Sequence, residues 1–511
     1  MFRRFARSQD GSALVFVTVT LPALIGFALL AVDASRVYNL HYDLQKGADA
    51  FALAAAAELD GGDDAIDRAD RALEELVKNS HSLSDLQFHT LTFPGDITRR
   101  YLSGLPPDDD DPITAAYETT DPLEAQFVEV RINPTQITAI FPATFLGAAS
   151  NAFETSASAV AGFNSAVCNY TPVFICNPYE NPAAAGGLTL QNAVETRGGR
   201  RRLIELRSVG KDTSYFPGDF GFLASDGRNG ARALAEMIAS STPRSCFSRR
   251  GVDTKPGQSS GPVKDAFNVR FGMQEPGANF NGAQYGPAAN VRKGGISNGN
   301  NCPQSNKMDW RDPTNPDLDE IMGLEPDFCF ADGSCPYMDG RMGDGEWQFF
   351  DKTDEFGNVT PGYWSINHGS APYPSDWTAG NKPTRYEVYR YEIDNNMVTN
   401  QSADGETGVP PGQCGAPVTN VDRRLIYGAL LDCQRLESLG YNLGGNEKGL
   451  PVRAFASFFL TEPVRKVPKG QEDENTYPYA ASVFVELVDV TGHAGRGTMD
   501  DFERDDVQLY R

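Results

Sequence analysis

The chain has 511 residues, with 45 Lys and Arg against 68 Asp and Glu, for a net charge of −23. That balance speaks against nucleic acid as a partner, because phosphate binding needs a basic footprint. Hydrophobic residues at 40% are enough for packed cores, and charged residues at 22% are ordinary for a globular protein. The length predicts roughly two to four domains. The abundance of Gly (50) and Pro (33) predicts long surface loops and many turns.

Ser12 to Val32, SALVFVTVTLPALIGFALLAV, carries no charge and matches the roughly 20 residues a helix needs to cross a bilayer. Arg3, Arg4 and Arg7 precede it and Asp33 follows, a bias that holds residues 1–11 in the cytoplasm and exports the bulk. Pro22 lies mid-span, where membrane helices tolerate proline. The rival reading is a cleaved signal peptide, with Val32-Asp33-Ala34 before Ser35. Signal h-regions run about 7–15 residues, shorter than this one. A buried core helix is a third reading, opposed by the length and the arginine flank.

Beyond the span, Val37, Leu40, Leu44, Ala48 and Phe51 recur at three- and four-residue steps, one apolar stripe of a helix. Gly61-Gly62 stops it. A second helix is predicted over Ala65 to Lys78, capped by Asp63 or Asp64, with Ile66, Ala69, Leu73 and Leu76 inward and Asn79-Ser80 at its end. Residues 33–80 thus read as a helical stalk. Span and extension as one rod would reach roughly 70 Å at 1.5 Å per residue. The stripe packs either on its own domain or against similar helices in an assembly.

Strand patterns follow, and residues 81–165 read as a small β-rich domain. Leu86, Phe88 and Phe93 flank a short β segment. Val128, Val130 and Ile132 alternate with polar neighbours, a half-buried strand. Thr135 to Phe141 reads as its hairpin partner, and Thr155 to Ala161 as a strand of small side chains. The run Pro106-Pro107-Asp108-Asp109-Asp110-Asp111-Pro112 is a solvated loop; its aspartates suit calcium, but EF-hand spacing is missing. Residues 166–511 read as a larger α+β ectodomain. Its strands are Arg202–Arg207, Leu425–Cys433, Ala454–Leu460 and Ser482–Val490, two of them nearly continuous apolar runs suited to burial on both faces. Asn229 to Ser240 reads as a helix with Ala233, Leu234 and Met237 inward. The Gly-, Asn- and Pro-rich stretches near 254–313 and 353–417 read as loop insertions. The whole pattern predicts an α+β protein: a transmembrane helix continuing into a helical stalk, then a β-rich mixed ectodomain.

All eight cysteines lie beyond the anchor, which fits disulfides in an oxidising compartment. Proximity in sequence nominates Cys168 with Cys176, and Cys329 with Cys335 around an Asp332-Gly333 turn. A loop of that size contributes roughly 2–3 kcal/mol. Zinc is the rival, and the spacings lack CxxC-like pairs. The five histidines, His41, His81, His89, His368 and His493, form no HExxH. Gly257-Gln-Ser259-Ser-Gly261 matches GxSxG, but proline neighbours make it a loop, not a nucleophile elbow. A Walker loop is absent, and Asp339–Glu346 reads as a charged turn. The sequence therefore nominates no catalytic residue, no metal ligand and no cofactor.

The ordered block at the start resembles TadG-like proteins of the Flp, or tight-adherence, pilus machinery. Gly11-Ser12 closes a basic tail, the apolar span holds a central proline, Asp33 ends it, and Leu44-Gln45, Ala48-Asp49 and Leu53-Ala54 follow in an Ala-rich helix. Softer support comes from Phe145-Leu146-Gly147, Ile175-Cys176-Asn177-Pro178, Asn268-Val269-Arg270-Phe271 and the closing strands. The resemblance implies a single-pass inner-membrane protein, cytoplasmic at its N-terminus and periplasmic in bulk, with a pilin-like small domain. It implies assistance in pilus assembly or anchoring, no reaction, and as partners pilin, pseudopilins, the platform or the secretin. Two departures stand out. Phe16 occupies the place where processed relatives carry glutamate, and the metal motif of a von Willebrand A-type domain is missing. The competing reading is a membrane-tethered adhesive or ligand-binding ectodomain, calcium-dependent through its acidic loops; an envelope hydrolase is a third, without a triad or metal set to support it.

Overall fold

The computed structural model describes residues 12–60, 64–77, 81–82, 88–89, 92–106, 108, 110–122, 124–142, 144, 150–168, 170–209, 214–224, 230–243, 246–248, 251–256, 261–274, 280–293, 295–296, 302–304, 309–310, 323–398, 408–465, 482–491 and 503–510. The basic tail, Gly61-Gly62-Asp63, Lys78 to Ser80, Leu86, Pro107, Asp109, Phe145-Leu146-Gly147, Asn229, 257–260 and His493 lie outside them. The chain divides into two compact units, residues 1–165 with 505–511, and residues 166–504.

The first unit is built on one helix. Helix α1 (Ser12–Ala56, 45 residues) runs uninterrupted through Pro22 and is roughly 67 Å long at 1.5 Å per residue. Its first half is bare: Leu14, Phe16, Leu24, Phe27 and Val32 are exposed. Threonine hydroxyls there bond within the helix, Thr20 Oγ1 donating to Phe16 O at 2.7 Å. Its second half is buried along Leu40, Leu44, Ala48 and Phe51, with Val37 half-buried against the same core. The stripe is thus spent within its own unit and is not an open face for a neighbouring helix. Helix α2 (Ala65–Val77) adds Ala69, Leu73 and Val77. Arg68 ties it back to Glu58 and Asp60 at 3.1 and 2.5 Å.

Both helices cover an antiparallel sheet of β1 (Ile97–Leu102), β2 (Phe127–Thr138) and β3 (Ala152–Cys168), with Glu503–Leu509 beside β3. Val128, Val130 and Ile132 meet Ala157, Ala159 and Ala161 in the core. Small side chains on β3 and Gly47 on α1 let the helix lie close; a Cβ at Gly47 would stand 3.4 Å from Ile132 Cδ1. Thr135 to Phe141 is not the hairpin partner its pattern predicts. Residues 135–138 continue β2 after a register shift between Ile132 and Thr135 and pair with 152–155. Pro134, lacking an N–H, falls at that shift and makes one strand read as two.

The second unit centres on a closed barrel of six strands: β4 (Val173–Cys176), β5 (Leu203–Ser208), β6 (Asp219–Leu223), β7 (Leu425–Leu431), β8 (Ala454–Leu460) and β9 (Val483–Val490). The order is β4-β7-β8-β9-β5-β6, and β6 returns to β4. The β4–β7 and β5–β6 pairs are parallel; the others are antiparallel. Closure removes the unpaired edges an open sheet would leave. All six strands feed alternate side chains, among them Ile175, Leu206, Phe222, Leu430, Phe458 and Val485, into one cluster, which also takes α3 (Ala231–Ala239) and α4 (Gly261–Asn268). Leu234 and Met237 of α3 are buried, and Ala233 is half-buried. The opposite faces of β7, β8 and β9 lie under a second, aromatic cluster of Trp347, Phe349, Tyr363, Trp364, Trp377 and Tyr389. Strands covered on both faces explain the continuous apolar runs.

The two stretches read as loop insertions are only partly so. Helix α4 forms in the first. In the second, α5 (Tyr363–His368) and α6 (Arg385–Asp394) carry the aromatic cover, α6 starting in a Thr384–Glu387 capping box. Strand β7 stops at Leu431, two residues earlier than its apolar run predicts, and Cys433 opens helix α7 (Cys433–Ser438). The aspartate-rich loop contains a turn, Asp111 N donating to Asp108 O at 3.1 Å.

Four disulfides join Cys168 to Cys246, Cys176 to Cys433, Cys302 to Cys414 and Cys329 to Cys335. The pairing of Cys168 with Cys176 is therefore corrected. Residues 166–168 pair with Cys246–Ser248, which sets Cys168 directly opposite Cys246, while the parallel β4–β7 pairing brings Cys176 beside the start of α7. Sheet register, not sequence distance, chose the partners. Peptide mapping without reductant is expected to recover Cys168 with Cys246 and Cys176 with Cys433. Replacing Cys176 and Cys433 by Ser costs about 3 kcal/mol more in denaturant unfolding than replacing Cys329 and Cys335, because the closed loop is far longer. Equal costs would contradict this.

Candidate functional site

The chemistry of the first unit concentrates where α1 changes from bare to buried. Asp33 is the first charged residue after the apolar run, and it is 1% exposed. Its carboxylate accepts the backbone N–H groups of Ile140 at 3.0 Å and Phe141 at 2.6 Å. Arg36 Nη1 donates to Asp33 Oδ1 at 3.2 Å and to Thr138 O at 3.1 Å. Burial works against the charge on Asp33, but the two amides and the guanidinium outweigh it and hold the carboxyl below its usual range. The polar side of α1 continues this clasp along β3. His41 Nδ1 lies 3.2 Å from Ser156 O, and Gln45 Nε2 donates to Ser158 O at 3.0 Å and to Asp49 Oδ1 at 2.8 Å. Asp33, Gln45 and Asp49 are family-like in sequence; the structure adds that Asp33 and Gln45 fasten helix to sheet and that Asp49 accepts from Gln45. The signal was a charge placed at the end of a span.

Beside the clasp lies an apolar groove of about 450 Å³ lined by Leu30, Ala34, Val37, Tyr38, His41, Phe153 and Thr155. Of the nominated residues, Ser12 begins α1, Pro22 lies within its bare half and Val32 is exposed at its end.

The second unit buries many charges, several of them in ion pairs or hydrogen bonds within the unit. Arg385 donates to Asp327 and Glu486 at 2.7 Å, all three fully desolvated. Glu392 accepts from Tyr363 and Asn290 and lies 2.7 Å from His368 Nε2. Burial opposes ionisation of Glu392, yet His368, Arg292 and Tyr363 hold its carboxyl below the usual range. Arg270 serves the main chain, giving Nη1 to Arg423 O and Leu425 O, both at 2.8 Å. Asn177, after β4, donates to Asp432 Oδ1 at 2.8 Å. Every cysteine is in a disulfide. Among the described residues no His, Cys, Asp and Glu group is arranged to hold a metal. The two-residue strand Thr254–Lys255 and α4 flank the GxSxG string, whose Ser259 lies outside the described residues.

Two outcomes are expected. Because Asp33 titrates lower in the folded state, the clasp is fully present above about pH 4 and is lost as the pH falls below it. Asp33→Asn is therefore expected to lower stability by roughly 1–3 kcal/mol at neutral pH, with the gap to wild type closing in acid, measured by thermal unfolding across pH. Arg385→Met, which strands two buried carboxylates, is expected to cost roughly 3–5 kcal/mol in denaturant unfolding; a cost near zero would show the pair to be unimportant.

Residues 11–58 match a family model described as "Putative Flp pilus-assembly TadE/G-like". No curated protein and no solved structure matches the chain. The matched segment covers the bare half of α1, Asp33, Arg36 and the stripe that packs on the sheet. Residues 11–58 of the chain therefore form a TadE/G-like Flp pilus-assembly domain.

Proposed function

We propose that this protein is a non-enzymatic, membrane-anchored component that assists assembly or anchoring of a Flp/Tad pilus. Residues 12–32 of α1 cross the inner membrane with the N-terminus in the cytoplasm, and the two disulfide-bearing or sheet-built units work in the periplasm against pilin, pseudopilins, the platform or the secretin. The observation that carries this reading is the division of α1. Residues 14–32 in its family-matched first half are uncharged and none of them is buried, a surface that water would not tolerate at this length. Disulfides in the second unit support an oxidising compartment. No observation among the described residues favours the calcium-dependent adhesive reading.

Solubilising native membranes and isolating the full chain is expected to recover pilus ATPase, platform or secretin subunits, and deletion of the gene is expected to abolish or reduce pili. Isolation of the chain alone, together with normal piliation in the deletion strain, would remove the proposal.

A further inference from the structure

We propose that the residues just after β2 form a second membrane contact, with Ile140 and Phe141 entering the acyl region of the exported leaflet beside the anchor helix. This rests on the reading of residues 12–32 as a membrane span.

The first observation is position. The amides of Ile140 and Phe141 are fixed on Asp33, the residue that ends the uncharged run. From there the Phe141 ring reaches back along the helix: a Cβ placed on Gly26 would stand 3.5 Å from Phe141 Cε2. Gly26 lies roughly 10 Å before Asp33 along the axis, at 1.5 Å per residue. A side chain packed there is below the end of the span, on the lipid side of it. The second observation is exposure. Ile140 is 52% exposed although nothing polar adjoins its side chain in sequence. The third is composition. From Ile137 to Phe153 the sequence holds no charged residue, and charge resumes only at Glu154 on one strand and Arg131 on the other.

Continuity with the anchor selects lipid as the occupant. The apolar groove beside the clasp takes Leu30 from the bare half of α1 and Phe153 from β3, so one apolar surface runs from helix to sheet. Tyr38 on the groove wall and Tyr42 further along α1 are both exposed, the latter with Lys46 Nζ 4.2 Å from its ring centroid. Aromatic rings followed by cations are what the headgroup layer favours. Asp33, the charge nearest the turn, is buried, and the half-exposed Arg36 is paired with it and with the Thr138 carbonyl, one turn further from the span. The clasp thus sets the depth of the turn and fixes the rotation of the sheet about the anchor.

The test places tryptophan in the full chain, reconstituted in phosphatidylethanolamine and phosphatidylglycerol vesicles with brominated acyl chains. Added emission is read against the parent, which has 4 Trp. Ile140→Trp changes an exposed side chain and leaves the amide on Asp33 in place; Phe16→Trp reports on the span. Both variants are expected to lose their added emission in brominated vesicles, Ile140→Trp most strongly when bromine sits near the glycerol end of the chain. Quenching of Phe16→Trp with unquenched Ile140→Trp would overturn the second contact and leave the span intact. Quenching of neither would overturn the span and this inference with it.

Discussion

The first unit depends on where a single charge is placed along a single helix. α1 has no break at which to change environment, so the change is made by side chains alone. Asp33 marks the place. An aspartate there would ordinarily need water; the turn after β2 supplies two amides instead, and Arg36 of the same helix a guanidinium. With that bond made, the helix is held at one height against the sheet. His41 and Gln45, further along, then meet carbonyls of β3 in register. Removing the charge would leave the apolar stripe able to pack but without a fixed end point.

In the second unit, stability comes from closure. The barrel has both faces covered, and the outer cover is pinned by ions that water cannot reach. Arg385, at the start of α6, grips Glu486 on β9 and Asp327 on the preceding segment, so the aromatic cluster is held on the strands beneath it. Such pairs are a weak source of net stability, but breaking one is costly, so they fix where α6 lies. The disulfide from Cys176 to Cys433 does the same for α7.

What the sequence disclosed was local. Helix periodicity gave the stripe from Val37 to Phe51, and alternation gave the strands at Val128–Ile132 and Ala454–Leu460, because each signal lies within one element. What it withheld was long-range. Cys168 could not be matched to Cys246 without knowing that their segments pair as strands, and the strand break at Pro134 hid the continuation of β2. The helices α5 and α6 were obscured by the Gly- and Asn-rich sequence around them. Thr384 and Glu387 did carry a capping-box spacing that marks the start of α6. The role of Asp33 was half legible: its place at the end of the span could be read, and its main-chain partners Ile140 and Phe141, more than a hundred residues away, could not.

The sheet of the first unit takes in Glu503–Leu509, and Tyr510 N bonds Val160 O at 2.8 Å while its ring meets Phe127 edge-on. In chain order this strand follows every strand of the barrel. During synthesis the sheet nearest the anchor must therefore wait with an open edge beside β3 until the whole barrel has been made. Completion of the anchor-side sheet thus reports that the intervening barrel sequence has already emerged.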